Sequence, residues 1–127
     1  MGKLFLAGLG GFIGSSLRYV VTGYVQQSSR SISFPYGTLA VNLAGCFVIG
    51  FLSQLAETRG VFSAESRTFV FVGLLGGFTT FSAFGNETMN LWRDGQNGLA
   101  LANVAAHFVL GLGAVWVSRA LAYQIWR

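Results

Sequence analysis

The stretch Gly76-Gly77-Phe78-Thr79-Thr80-Phe81-Ser82-Ala83-Phe84 decides how this chain folds. It lies inside an apolar run, residues 69–92, about as long as one bilayer crossing. A glycine pair followed by two β-branched threonines is poor helix material. A helix broken there leaves backbone carbonyls without partners, and irregular backbone at membrane depth is tolerated only inside protein or beside a water-filled cavity. Composition alone leaves two readings open: a discontinuous membrane helix whose freed carbonyls suit a hard cation, or an unbroken helix whose glycines pack.

Phe81 and Phe84 favour the break. An aromatic ring has a negative face and a positive edge. Phenylalanines presenting their edges can therefore coordinate a small anion without a fixed charge, which would hold the ion too tightly for release. The rest of the 12 phenylalanines read as lipid-facing or packing surface, and Glu87 as a group near the polar end of the span or paired.

Outward from this run, three more apolar stretches of similar length cover residues 4–25, 37–56 and 99–123. With 53 % of residues apolar and 9 % charged, against about 25 % charged in soluble domains, the expected fold is an all-α membrane protein. It has four transmembrane helices in a single domain, 1–127, with the third helix broken. The amino terminus resembles a signal peptide, but its apolar run passes Arg18 without a small-residue cleavage site and reads as a retained span. The net charge of +4 sits at loop ends, with no run of like charges to bind nucleic acid. Four dispersed acids and one histidine give no convergent catalytic set, so an enzyme is not expected. Cys46, the only cysteine, excludes an internal disulfide and reads as a small packing residue.

The joints are short and polar. Residues 26–36 hold Pro35, which suits the start of a new helix, and residues 93–98 are a turn by composition, too short for anything but a reversal. Neighbouring spans therefore run antiparallel. Lys3, Arg59, Arg67, Arg119 and Arg127 fall on one side, Arg30 and Arg93 on the other. That bias favours an inside amino terminus but is small enough to leave dual insertion open. No internal repeat is visible, so any symmetry of a transport path comes from a second copy.

Each span also carries features read against plain packing. Gly10-x-x-x-Gly14, Gly73-x-x-x-Gly77 and the series Ala114, Ser118, Ala122 let backbones approach closely, and packing explains them. Arg18 lies deep in the first span, where an unpaired charge costs about 2.5–3.5 kcal/mol. It snorkels to the interface, or it meets loop carbonyls or an aqueous vestibule and steers anions. In the second span Thr38 and Asn42 begin a small, partly polar stripe continued by Gly45, Cys46, Ile49 and Ser53. Asn42 serves as interhelical glue or as a neutral donor to an anion. In the fourth span Asn103, His107 and Gly111 form a second polar line. His107 is a hydrogen-bonded interior histidine or a pore-facing donor, and a proton relay would need titratable partners that are not obvious.

The run from Gly76 through Glu87 closely resembles the GGxTTFSTFSxE signature of the Fluc (CrcB) fluoride channels. Gly37-Thr38-Leu39-Ala40-Val41-Asn42 resembles their GTLxxN segment, and Gly11-x-x-Gly14-x-x-x-Arg18 is similar to their first-span motif. The resemblance implies a fluoride-selective channel for passive fluoride export, built as an antiparallel dual-topology homodimer with two pores in a bacterial inner membrane. It implies a structural sodium ion at the subunit interface, held by backbone carbonyls that map onto Gly76 and Thr79. It implies that Asn42 donates to fluoride, that Phe81 and Phe84 line the pore with their edges, that Thr38, Thr80 and Ser82 line or support the path, and that Arg18 lies near a vestibule. Phe78, Ala83 and Gly85 depart from the signature without removing a ligand. The fourth-span hydroxyl line of some members appears here as His107 and Gly111, so that His107 stands in for a hydroxyl donor.

Two rivals remain at the sequence level. A small proton-coupled multidrug exporter needs a membrane-embedded carboxylate, and the first span has no acidic residue. A noncatalytic scaffold would explain the glycines but not Asn42, the third-span break or the two polar stripes.

Overall fold

Across its four apolar stretches the chain is helical except at Thr79 and Thr80, because a helix satisfies its own backbone groups without water. The computed structural model describes residues 1–127 and contains four helices long and apolar enough to cross a membrane: Gly2–Ser29, Tyr36–Arg59, Ala64–Arg93 and Asn97–Trp126. These run a few residues beyond the apolar stretches, since flanking polar residues such as Gln26 and Glu57 still extend the helix. The ends carry identifiable stop signals. Arg30 adopts a left-handed conformation with φ of 56°, and Gly60, at φ of 60°, donates its N–H to the Ala56 carbonyl. Pro35 precedes the second helix, and the Ser63 hydroxyl caps the third by accepting the Ser66 N–H at 3.1 Å.

The third span is not one regular helix. It winds as a π-helical segment over Thr68–Leu75 and a short α-turn over Gly76–Phe78, opens at Thr79 and Thr80, and resumes over Phe81–Arg93. Thr79 (φ −92°, ψ 161°) and Thr80 (φ −152°, ψ 112°) are both extended. The break therefore follows the glycine pair instead of falling on it. Gly76 and Gly77 stay helical, and Gly77 is used for packing.

That packing is backbone against backbone. A Cβ at Gly10 would stand 2.5 Å from the Phe69 carbonyl oxygen, and one at Gly77 would stand 2.7 Å from that of Gly11. One at Gly14 would collide with the Leu74 carbonyl. The two small-residue motifs thus interlock the first span with the first half of the third. The second span packs along the fourth, where Gly50 makes room for the Ser118 hydroxyl, and against the first, where Gly37 faces the Thr22 backbone. Large apolar side chains such as Phe12, Leu101 and Trp116 point outward, while Asn103 and Ser118 are fully buried. Large apolar side chains facing outward, with the few buried polar ones kept inside, is the arrangement of a multi-pass membrane protein.

Candidate functional site

Breaking a helix strands particular groups, and their fate defines the site. In an unbroken helix the Thr80 N–H would bond to the Gly76 carbonyl and the Ala83 N–H to the Thr79 carbonyl. Instead the Thr80 N–H goes to Asn42 Oδ1 at 2.8 Å, and the Ala83 N–H goes to Thr80 Oγ1 at 3.1 Å. The Gly76 and Thr79 carbonyls thereby lose their i+4 donors. Thr79 points its own N–H and hydroxyl back to the Leu75 carbonyl, both at 3.0 Å, and its methyl group into the space left by Gly45. Hard carbonyl oxygens of this kind fit an alkali cation, whereas no cluster of three or more His, Cys, Asp or Glu side chains exists to hold a metal.

Asn42, one turn after Thr38 on the second span, ties this break to the fourth span. Its amide answers both backbone groups of Thr80, with Nδ2 donating to the Thr80 carbonyl at 3.1 Å while Oδ1 accepts from the N–H. The same Nδ2 lies 3.0 Å from His107 Nε2, and His107 Nδ1 lies 3.0 Å from the Asn103 carbonyl. His107 sits in a π-helical segment, Ala106–Leu110, a local distortion frequent at functional sites.

These groups border an open cavity of about 430 Å³ lined by Asn42, Gly45, Cys46, Ile49, Gly76, Thr79, Thr80, Phe81, Phe84, His107 and Gly111 among others. The stripe read on the second span thus faces one concave surface from Asn42 to Ile49. The two phenylalanines fare differently. Phe84 is 6 % exposed, its ring centroid 4.2 Å from that of His107, while Phe81 is 77 % exposed although its centroid is 5.4 Å from that of Phe84. Ser82 is exposed too, its hydroxyl 3.2 Å from that of Thr80.

Thr38 belongs to a second, more polar cavity of about 550 Å³ at the end of the bundle that carries residues 32–35 and 94–96, beside Gln26, Glu87, Asn90 and Asp94. The buried Thr38 hydroxyl donates to Glu87 Oε1 at 2.8 Å, and Glu87 Oε2 is buried without a partner. Both readings given to Glu87 fit, since it is paired with Thr38 and lines the polar cavity at the end of the bundle. An acid within a span was the signal that marks it as a group of interest. Asn103 donates to the Thr88 hydroxyl at 2.9 Å and leaves Oδ1 unpartnered in a fully buried site. Arg18 stands apart: it lines neither cavity, and its Nε is buried without a hydrogen-bond partner.

The family model described as CrcB-like protein, Camphor Resistance (CrcB) matches residues 5–119, a range that holds all of these groups. The chain belongs to the CrcB-like family. Among CrcB-like relatives, a fluoride-specific ion channel FluC of Methylobacillus flagellatus is 45 % identical over 117 residues, covering 92 % of this chain and 91 % of that protein. Proteins of the same description from Parabacteroides distasonis and Elusimicrobium minutum are 48 % and 47 % identical, covering 97 % and 90 % of this chain and 94 % and 88 % of their own lengths. CrcB-like membership thus covers the first three spans almost entirely and most of the fourth.

Proposed function

We propose that this chain is one subunit of a fluoride-selective channel that lets a bacterial cell shed fluoride passively across its inner membrane. It is not an enzyme, since its work is conduction down a gradient with no bond made or broken. The likeness to channels named as fluoride-specific supports the ion, and the Thr79–Thr80 break carries the site.

In this reading Asn42 donates to the passing anion, and the edges of Phe81 and Phe84 supply further weak positive contacts in series. Thr38, Thr80, Ser82 and His107 line or support the path, and Arg18 draws anions toward a vestibule. Weak neutral donors suit a permeant ion because a well deep enough to replace hydration yet shallow enough to leave is what conduction requires. Chloride, larger and poorly compensated in such a path, is excluded.

A second copy in antiparallel orientation completes the reading. Phe81 projects from a single chain, and the cavity beneath it is open on one side, so a facing copy would supply the missing wall. The small basic bias between the two ends suits insertion in either orientation. The Gly76 and Thr79 carbonyls of the two copies would together hold a structural sodium ion, since two oxygens from one chain do not complete a shell. Sodium there would bind the copies to each other and fix the break.

The test is fluoride efflux from proteoliposomes containing the purified protein, with Asn42→Asp, Phe81→Ile and a chloride gradient alongside. Fast efflux selective for fluoride and lost in the variants is expected. Equal chloride flux, or none of either ion, would return the exporter and scaffold readings.

A further inference from the structure

The hydrogen bonds around Asn42 fix every proton in the network. The Thr80 N–H can only donate and the Thr80 carbonyl can only accept, so the Asn42 amide has one orientation, with Oδ1 on the N–H and Nδ2 on the carbonyl. The second Nδ2 hydrogen then points at His107 Nε2, which must offer a lone pair. At the other end of the ring the Asn103 carbonyl can only accept, so Nδ1 carries the proton. The imidazole is therefore uncharged, in its Nδ1–H form, and both hydrogens of the amide proposed to meet the anion are occupied at rest.

One of those two bonds is replaceable. The pair with Thr80 holds the break and has no other acceptor to turn to. The bond to His107 is an ordinary neutral N–H···N contact, and both residues border the open cavity. We propose that His107 is a positioning residue of the conduction path: its Nε2 lone pair holds the second Asn42 hydrogen between ions and cedes it to a passing anion. The inference rests on the anion-channel reading above and assigns His107 the role of acceptor, in place of the hydroxyl-like donor that its position in the sequence suggests.

The arrangement answers a problem of exit. A bare amide hydrogen would bind an anion in exchange for nothing, and so about fivefold more tightly. One already engaged by His107 binds the anion by exchange, and the ring reclaims the hydrogen as the ion leaves. Contact of the ring with the tilted Phe84 ring, together with the Nδ1–H bond to Asn103, keeps the imidazole within reach throughout.

The chain has a single histidine, so 15N labelling of that residue in the full-length protein in bilayers reports this ring alone. Signals of a neutral imidazole protonated at Nδ1 are expected; protonation at Nε2, or at both nitrogens, overturns the proposal. In proteoliposomes His107→Leu is expected to lower the fluoride concentration for half-maximal efflux about fivefold, the worth of one neutral hydrogen bond, and to lower the maximal rate with it. His107→Gln, which returns an acceptor near the Nε2 position, restores both. A merely structural defect lowers the rate without tightening the half-maximal concentration, and that result in His107→Leu also overturns the proposal. If wild-type protein passes no fluoride, the channel reading itself fails, while the tautomer measurement still reports on the ring.

Discussion

Upstream of Thr79 the third span meets the first through glycines set against backbone, with no side-chain hydrogen bond between them. Downstream, at Thr79 and Thr80, it is held by the Asn42 amide, by its own threonine hydroxyls and, through Asn42, by His107. The first kind of contact is rigid because backbone cannot move aside. The second depends on hydrogen bonds, and one of them, between Asn42 and His107, can be traded for another of similar strength. The glycine half therefore anchors the span, and the broken half is the one to which the proposed function assigns the ion.

The strongest way to break this contrast is Gly14→Val. Its side chain would run into the Leu74 carbonyl and, at 2.9 Å, the Phe78 nitrogen. The cost is expected to exceed the ~1–3 kcal/mol usual for overpacking, since backbone and not a flexible side chain must yield. Loss of the folded species in detergent, followed by gel filtration and denaturant titration, is the expected result; a protein as stable as wild type would mean that the interlock is not an anchor.

Asn42→Ala comes next. It strips both Thr80 backbone groups of their partner and is expected to cost about 2 kcal/mol, less than the glycine variant because water can enter an open cavity. Fluoride efflux should nevertheless fall much further than stability, and a variant that loses both in step would erase the distinction between anchor and ion-handling half. Asn42→Asp sharpens the point, because one carboxylate oxygen still accepts the Thr80 N–H while the other repels the Thr80 carbonyl.

Thr38→Val removes the single hydrogen bond to Glu87 at constant shape and is expected to cost ~1–3 kcal/mol, read from the same denaturant midpoint. Smallest of all is Glu57→Gln at the exposed 2.7 Å ion pair with Arg119, expected to change stability by about 0–1 kcal/mol and to lose even that in high salt. A larger effect there would show that the second and fourth spans depend on surface charge in a way the buried contacts do not.

The sequence made the break legible because its cause is local: two β-branched residues after two glycines lower helix stability whatever surrounds them. It left break and packing as alternatives, and the chain does both, Gly77 packing and the next-but-one residue opening the helix. Asn42, Thr80 and His107 were each legible as polar positions, but their union was not, since 38 and 65 residues separate Asn42 from its partners. Nothing in the composition of Thr68–Leu75 or Ala106–Leu110 announces a π-helical winding. The divergence of Phe81 and Phe84 was equally hidden, because a three-residue spacing says that two rings are neighbours and not which of them the fourth span will cover.

The Asn42–Thr80 pair also has a direction in time. Asn42 leaves the ribosome 38 residues ahead of the backbone it will satisfy, so the second span is already made when the weak point of the third emerges. An extended dipeptide entering lipid alone would drag two naked peptide groups with it; one entering beside a waiting amide exchanges water for that amide. Synthesis order thus lets a defect in one helix be mended by an earlier one, and a circular permutation that made the third span first would remove that help while leaving every contact of the finished protein unchanged.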